Sequence, residues 1–306
     1  MRNGMVRMGG YQGEASVHTR AARLLGEAFV RATRGDPGFE FTADVTASGR
    51  PANDLFAMVE GEELDLCYFA SSYLVHRVPE LAVFDLPFTV VDRQRLYALL
   101  DGAFGEAIAG HVGRRTGFRV VGFWDNGFRH FSNWRRPIRH PGDCAGLRIR
   151  TMNNAIHQQT FAALGMDPAF IDVKDFPQAV RSHAVDAQEN PLTNTFNFGV
   201  HETHRHVTMT GHFCGVALVL ANAARFAAWP QPVRDALLAA MPAATQAQRQ
   251  FAAGDDATCR ASLEAAGVEV IGPEGFDREA FVAATRAVVE QAAKDLDPAL
   301  LQALRG

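Results

Sequence analysis

The sequence predicts an α/β fold, because short β-type runs alternate along it with helical segments of roughly ten to fifteen residues. The chain has 306 residues, 47% of them hydrophobic and 21% charged, which is close to the average for a globular protein with a sizeable core. At about 150 residues per domain, this length predicts two lobes or one large domain. The alternative to a two-lobed chain at this point is a single doubly wound enzyme domain.

Hydrophobic spacing divides the N-terminal half into alternating helices and strands. In Thr19–Thr33 the apolar residues recur at helical spacing, whereas Phe39–Thr46 alternates polar and apolar residues as a strand does. The apolar run Leu64–Ala70 is typical of a buried strand, and the small polar pair Ser71 and Ser72 begins a loop after it. The same criteria predict helices over Asn53–Glu60 and Arg93–Thr116 and a strand over Phe118–Trp124.

The C-terminal half continues the alternation and becomes increasingly helical. Leu147–Met152 alternates as a short strand, and the helix after it ends at Gly165, a residue that commonly terminates helices. From Ala221 to Ala266 the spacing is almost wholly helical, with two prolines as interruptions. The remaining predicted helices are Asn153–Leu164, Asp175–Ser182 and Arg278–Leu296, and the remaining strands are Ala184–Ala187, Val207–Met209, Val216–Leu220 and Val268–Ile271.

Charge and cysteine content exclude several classes of protein. Thirty Lys and Arg against 34 Asp and Glu give a formal net charge of −4, which argues against a nucleic-acid partner. The chain has no apolar run of about 18 residues, so no membrane-spanning helix is expected. Four cysteines (Cys67, Cys144, Cys214 and Cys259) lie far apart, which excludes paired zinc and redox motifs and slightly favours a reducing compartment.

Motifs for cofactor chemistry are missing from the sequence. It contains no GxGxxG after a strand, no GxxxxGK[ST] and no GxSxG, so no cofactor and no nucleophilic serine are expected. The segment His201-Glu202-Thr203-His204 is one residue short of the HExxH zinc motif, because its histidines stand at i and i+3. With His206 nearby, we interpret it as a solvated, histidine-rich loop and expect no metal.

Arginines at strand ends predict an anion site. Arg148 and Arg150 alternate with apolar residues in the strand Leu147–Met152, and Arg129 follows the strand that ends at Trp124. Ligands of α/β proteins bind at the carboxyl ends of strands, and a guanidinium matches a carboxylate with two hydrogen bonds. The alternative is a structural ion pair at a strand end.

Polar residues also follow the predicted strand Ala184–Ala187. Gln188, Glu189 and Asn190 stand at its exit, and Pro191 favours an extended backbone at Asn190. Amide and carboxylate groups in this place can bind the oxygens of a small ligand. A turn whose side chains bond to one another is the alternative.

In this order along the chain, these segments resemble the solute-binding proteins of tripartite ATP-independent periplasmic (TRAP) transporters, of the DctP type. The helical tail after Ala221 also fits this resemblance. The matching segments are Leu81–Phe88, Gly127–Ile138, Gly146–Asn154, Ala162–Pro168 and Val185–Leu192.

The resemblance implies a two-lobed, periplasmic-binding-protein-like α/β fold with mixed, mostly parallel sheets and a long helix that crosses both lobes. We expect residues 1–123 and 213–250 to form lobe I and residues 124–212 and 251–306 to form lobe II, with the ligand cleft between them. The first strand, Met5–Met8, is short for the family.

The resemblance also implies the residues that bind the ligand. Arg150 corresponds to the main carboxylate clamp, Arg129 to the arginine that supports it, and Asn190 to an asparagine that contacts the ligand. The segment Gly10–Thr19 corresponds to a loop that lines the cleft. Further ligand contacts expected from these segments are Gln12, His18, Ser72, Tyr73, Glu189 and Phe213.

A protein of this family captures an organic acid and presents it to the membrane subunits of a TRAP permease, so we expect these two partners and no nucleic acid. Family members are exported, but Met1–Arg7 is not followed by the apolar stretch of an export signal. We therefore expect that the signal has been removed and that the protein is periplasmic. A cytosolic relative is the alternative.

Two questions stay open at this point. One is whether the chain is instead an enzyme that acts on an organic acid, with His18, His130 or Glu189 as general acid or base. The other is the ligand. Amide and carboxylate groups near the arginines favour a sugar acid or another hydroxylated acid, whereas walls of Phe128, Phe213 and Tyr73 would suit a keto or aromatic acid. A C4-dicarboxylate is a further alternative.

Overall fold

Nine strands form one continuous sheet in a computed structural model that describes residues 4–305. Residues 1–3 of the segment Met1–Arg7, to which the expectation of a removed signal refers, lie outside the described residues. The strands are β1 (Met5–Gly9), β2 (Gly38–Thr42), β3 (Leu66–Ala70), β4 (Phe118–Asn133), β5 (Arg148–Thr151), β6 (Asp167–Phe170), β7 (Ala187–Asn190), β8 (His206–Asn222) and β9 (Glu269–Ile271).

Helices connect most of these strands. The predicted helix Arg93–Thr116 is two helices, because the chain is extended at Gly102 between them. Helices α7 and α11 and strand β6 are not predicted by the sequence pattern. The helices are α1 (Val17–Thr33), α2 (Asp54–Glu60), α3 (Arg93–Leu100), α4 (Ala103–Arg115), α5 (Ala155–Ala163), α6 (Phe176–Arg181), α7 (Leu192–Asn197), α8 (Ala223–Ala227), α9 (Gln231–Ala265), α10 (Arg278–Ala292) and α11 (Pro298–Arg305).

The sheet is mixed and mostly parallel, as predicted. Its strand order is β2-β1-β3-β8-β4-β7-β5-β6, and β9 pairs with β8 outside this path. Five pairs are parallel: β1–β2, β1–β3, β5–β6, β5–β7 and β8–β9. Strands β4 and β8 pair antiparallel with each other, β8 also pairs antiparallel with β3, and β4 also pairs antiparallel with β7.

Three long elements connect the two ends of this sheet. Strands β4 and β8 have 16 and 17 residues, about 50 Å at ~3.3 Å per residue. Helix α9 has 35 residues, also about 50 Å at ~1.5 Å per residue. It packs on α1 at one end of the sheet and on α7 and β9 at the other. We call these two ends the β1–β3 side and the β5–β7 side.

The lengths of the two crossing strands correct the sequence analysis. The predicted strand Phe118–Trp124 continues to Asn133, and the predicted pair Val207–Met209 and Val216–Leu220 is one strand, β8. Glycines in both strands look like strand ends in the sequence. In the structure they lie at bends and register shifts that the β4–β8 pairing continues across. The predicted lobe boundaries fall within these strands and α9, and they stay a prediction.

The strand predicted over Ala184–Ala187 is also shifted. Strand β7 runs over Ala187–Asn190, so Gln188, Glu189 and Asn190 lie within the sheet rather than at a strand exit. The reason is pairing on both sides, since Gln188 lies opposite Ser132 of β4 and Arg150 of β5.

The loop between β1 and α1 is fixed by a close backbone contact. A Cβ atom on Gly10 would lie 2.4 Å from the Tyr68 ring and 2.7 Å from the carbonyl oxygen of Ala43. Glycine at this position therefore allows the loop to pack against the sheet. Helix α1 then begins at Ser16, whose hydroxyl accepts a hydrogen bond from the His18 amide, a standard N-cap.

We predict that Gly10→Ala lowers the free energy of unfolding by about 1–3 kcal/mol, because the added methyl group overlaps a buried ring and a backbone oxygen. Gly13→Ala is the matched control in the same loop, since no heavy atom lies within 4 Å of its Cβ position. Its effect should stay within about 0.5 kcal/mol. Urea denaturation measures both values, and equal effects of the two variants would contradict the packing described here.

Candidate functional site

A small cavity lies between the two sides of the sheet. Its walls come from the segments that follow β1 and β3 on one side, from those that follow β5, β6 and β7 on the other, and from β4 between them. It therefore lies at the carboxyl ends of the parallel strands, where α/β proteins bind ligands. It is lined by Tyr11, Gln12, Ala70, Tyr73, Asn126, Arg129, Arg150, Met152, Val173, Asn190, Asn194 and Phe198.

Arg150 brings a buried positive charge to the cavity wall. It is 2% exposed; its Nε donates to the carbonyl oxygen of Ile171 at 2.9 Å, and its guanidinium lies 4.8 Å from the centre of the Phe176 ring. Its Nη2 is buried without a hydrogen-bond partner. Within residues 4–305, no carboxylate forms an ion pair with it. A buried charge without a counterion is costly, so an anion beside Arg150 would offset that cost.

Arg129, by contrast, is neutralised by a buried carboxylate. Its Nε and Nη2 donate to the two carboxylate oxygens of Glu189 at 2.5 and 2.8 Å, and Nη2 also lies 3.3 Å from Oδ1 of Asn190. Burial raises the pKa of Glu189, but the Arg129 charge and a contact with His212 outweigh it and hold that pKa well below its ordinary value. Burial likewise lowers the pKa of Arg129, and Glu189 more than offsets this.

The polar residues of β7 fix one another. The Asn190 amide donates to Gln188 Oε1 at 2.6 Å, and the Gln188 amide donates to the Ser132 hydroxyl at 2.5 Å. These side chains therefore bond to one another, as in the alternative expectation of a self-bonded turn, but they lie in a strand rather than in a turn. As a result, Asn190 presents a fixed orientation to the cavity.

A second buried network joins the two sides of the sheet. Asp85 accepts hydrogen bonds from the Ser72 hydroxyl at 2.5 Å and from the Asn154 amide at 2.8 Å, and it lies 2.9 Å from His157 Nε2. The other ring nitrogen of His157 is 3.9 Å from Glu189 Oε1. Ser72 and Asp85 follow β3, whereas Asn154 and His157 follow β5, so this network connects the Arg129–Glu189 pair to a contact across the cavity.

The loop after β1 holds Gln12 against the cavity. Gln12 Oε1 accepts from the Ser16 hydroxyl at 2.5 Å and lies 3.1 Å from His18 Nδ1. His18 itself is buried and stacks on Tyr68, with ring centres 5.0 Å apart. Burial lowers the pKa of His18 to about 3, so a titration of His18 near its ordinary pKa is not expected.

Five of the nine expected contact residues line the cavity, namely Gln12, Tyr73, Arg129, Arg150 and Asn190. The other four lie behind it and hold residues of the wall or of the buried networks. Ser72 bonds to Asp85, Glu189 bonds to Arg129, Phe213 stacks on His157 at 4.1 Å, and His18 contacts Gln12. Direct ligand contact of these four stays a prediction.

Sequence reasoning missed several members of the site. Tyr11 lies in the loop segment Gly10–Thr19 that the resemblance identified, so the sequence offered a signal for it. Asn194 lies in α7, four residues after Asn190. Asp85 and His157 carry no local signal, because their partners are about seventy residues away in the chain.

The histidine-rich segment is only partly the solvated loop that was expected, because His204 is buried whereas its neighbours are half-buried or exposed. His204 is completely buried, with Nδ1 2.9 Å from the Ser132 hydroxyl, and His201 stacks on Phe196. The polarity of the segment gives no sign of the aromatic contact of His201 or the burial of His204, because both depend on residues outside the segment. Between residues 4 and 305, no cluster of three or more His, Cys, Asp or Glu side chains is arranged to bind a metal ion.

Comparison with known proteins gives a consistent result. The profile of the DctP family, described as "Bacterial extracellular solute-binding protein, family 7", matches residues 8–295. A solute-binding protein of Verminephrobacter eiseniae is 32% identical over 79% of this chain and 71% of that protein. The 2,3-diketo-L-gulonate-binding periplasmic protein YiaO of Escherichia coli is 27% identical over 85% of this chain and 78% of that protein.

A solved structure shows the same fold. It is a TRAP periplasmic solute-binding protein from Bordetella bronchiseptica, with density assigned to pantoate. It is similar with a TM-score of 0.91 and 26% identity, and the match covers 98% of both chains. None of the helices in the described part of this chain is both long enough and apolar enough to cross a membrane.

We predict that acid weakens the fold through buried neutral histidines. Burial lowers the pKa of His18, His130 and His204 to about 3, whereas the ordinary value in an unfolded chain is about 6.5. Unfolding therefore takes up protons below pH ~6.5, and stability present above that pH is lost as the pH falls. Between pH 7.5 and 5.5 the expected loss is on the order of 1.4 kcal/mol for each histidine.

Urea denaturation at several pH values measures this slope. His204→Gln should reduce the slope by about a quarter to a third, because burial also lowers the pKa of His212 and the variant removes one of these four buried histidines. His76→Gln is the control, since His76 is exposed and its removal should leave the slope unchanged. A free energy of unfolding that is constant between pH 7.5 and 5.5 would contradict the prediction.

Proposed function

Because the chain belongs to family 7 of the bacterial extracellular solute-binding proteins, the DctP family, we propose that it captures a small organic acid and delivers it to the membrane subunits of a TRAP permease. The observation that carries this proposal is the buried Arg150 guanidinium, which faces the cavity without a carboxylate partner. A ligand carboxylate supplies the missing charge, and Arg129 and Asn190 stand beside it as further donors.

The cavity supports a small, hydroxylated acid. The space between its walls is small, which excludes a large ligand in this arrangement. Three asparagines, a glutamine and two tyrosines line it, which suits hydroxyl groups better than an aromatic ring. Three aromatic residues were expected to form the walls for a keto or aromatic acid. Of these, Tyr73 lines the cavity, whereas Phe128 and Phe213 do not. The acids named for two of the similar proteins, pantoate and 2,3-diketo-L-gulonate, are also hydroxylated carboxylates.

Closure of two lobes over the acid is the proposed mechanism. The ligand binds the closed arrangement better than the open one and so shifts the population towards it. Asp85 and Ser72 on the β1–β3 side contact Asn154 and His157 on the β5–β7 side, and this contact holds the closed arrangement. We place the lobe boundaries as the sequence analysis does, and we propose that the permease recognises the closed surface in the periplasm.

No observation favours an enzyme in this cavity. A general acid or base needs a pKa near the working pH and must reach the reacting proton. Burial lowers the pKa of His18 and His130 to about 3, and Glu189 is engaged with Arg129. We therefore propose binding without turnover, and a mass-spectrometric search for products after incubation with bound acids tests it.

We predict that Arg150→Ala weakens binding of pantoate by roughly a hundredfold or more. Charge-assisted hydrogen bonds contribute ~1.5–3 kcal/mol each, and the loss of two of them at ~1.4 kcal/mol per factor of ten gives this magnitude. Isothermal titration calorimetry measures the change, and a panel of other small hydroxylated acids provides the comparison if pantoate is a weak ligand.

Arg148→Ala is the matched control, because Arg148 lies on the same strand but is exposed. Its effect on affinity should remain within a few-fold, since it does not line the cavity. If Arg148→Ala abolishes binding and Arg150→Ala does not, the carboxylate site lies elsewhere and the proposed role of the cavity is wrong.

A further inference from the structure

We propose that Asn126 is a specificity-determining residue that accepts a hydrogen bond from a hydroxyl group of the bound acid. The cavity would thereby select hydroxylated acids over acids of the same skeleton without that hydroxyl. This inference rests on the proposed function, in which the cavity binds a small carboxylate. It adds the residue that recognises a hydroxyl group of the same ligand.

The first observation is an unpartnered acceptor. Asn126 lines the cavity and is 6% exposed, yet its Oδ1 is buried without a hydrogen-bond partner among residues 4–305. Leaving a buried polar atom unpaired costs about 1–3 kcal/mol, and folded proteins rarely do so without a reason. A ligand hydroxyl donates to such an oxygen, whereas a ligand carboxylate does not.

The second observation is the backbone at this residue. In the β4–β8 pairing Asp125 lies opposite Val216 and Gly127 lies opposite Gly215, so Asn126 is the extra residue of a β-bulge. Bulges change the direction of a side chain and are common beside binding sites. Gly127 completes the bulge with a φ of +83°, in the left-handed region that favours glycine.

The neighbours of the bulge keep it in place. Asp125 Oδ1 accepts from the Gly127 amide at 2.6 Å, and Oδ2 accepts from the Tyr97 hydroxyl at 2.5 Å and pairs with Arg93 Nε at 2.9 Å. The Asp125 backbone is also fixed, because its amide donates to Gln248 of α9 at 2.8 Å. The residue before Asn126 is therefore held from two helices, α3 and α9.

Gly215 on the facing strand makes room for the Asn126 side chain. A Cβ atom there would lie 3.0 Å from both Cβ and Nδ2 of Asn126. The three other amides of the lining already have partners, since Gln12 contacts Ser16, Asn190 donates to Gln188, and Asn194 donates to Asn190. Asn126 is thus positioned by its surroundings while its acceptor remains available to a ligand.

The experiment measures affinity for two pairs of acids by calorimetry. Pantoate is compared with its analogue lacking the hydroxyl next to the carboxylate, and malate with succinate, which differs from it by one hydroxyl. The wild-type protein should bind the hydroxylated member of at least one pair more tightly by about five- to a hundredfold, the range for one unsatisfied buried acceptor. Asn126→Ala should remove this preference and change the affinity for the other member less than threefold.

Asn194→Ala is the matched control, because Asn194 is another amide of the lining that contacts Asn190 at 3.5 Å, and it should keep the preference. Equal affinity of the wild type for both members of each pair overturns the inference without any variant. A preference that survives Asn126→Ala overturns it as well, while the loss of binding in Arg150→Ala still supports the proposed function. Wild-type protein that binds neither these four acids nor any acid of the wider panel overturns both.

Discussion

Two buried guanidinium groups face one cavity, and the structure provides a carboxylate for only one of them within residues 4–305. Glu189 neutralises Arg129 through two hydrogen bonds, whereas Arg150 has a backbone oxygen and an aromatic ring as neighbours. These neighbours stabilise a positive charge only in part, since burying an ion costs several kcal/mol even after relaxation. The positive charge that remains at the cavity wall is the basis for the proposed binding of an organic anion.

The crossing strands bring the two arginines together. Arg129 lies in β4, whose next residues pair with Asn190 and Glu189 of β7, and Arg150 lies in β5 on the other side of β7. The register of β4, β7 and β5 therefore fixes the positions of both arginines relative to Glu189. From Glu189 the buried network continues through His157 to Asp85 on the opposite side of the cavity.

The sequence predicts the parts of this arrangement that depend on local pattern. The alternation of Leu147–Met152 places a strand there, and the apolar runs identify α1 and β3 closely. The resemblance singled out Arg150, Arg129 and Asn190, all of which line the cavity. The long strands were divided at their glycines, because a bend with continued pairing cannot be distinguished locally from a strand end. Asp85, His157 and the unpartnered oxygen of Asn126 depend on side chains that meet only in the folded chain, so no spacing rule predicts them.

We propose that the cavity needs a ligand carboxylate to neutralise the charge of Arg150. A thermal-shift comparison of small hydroxylated acids with their primary amides at pH 7 tests it most directly, since each pair differs in charge and hardly in shape. A ligand at ~100 times its dissociation constant adds ~2.7 kcal/mol of stability, which is easily measured. At least one acid should raise the melting temperature, and its amide should not. Equal stabilisation by an acid and its amide would show that the cavity does not depend on a ligand carboxylate.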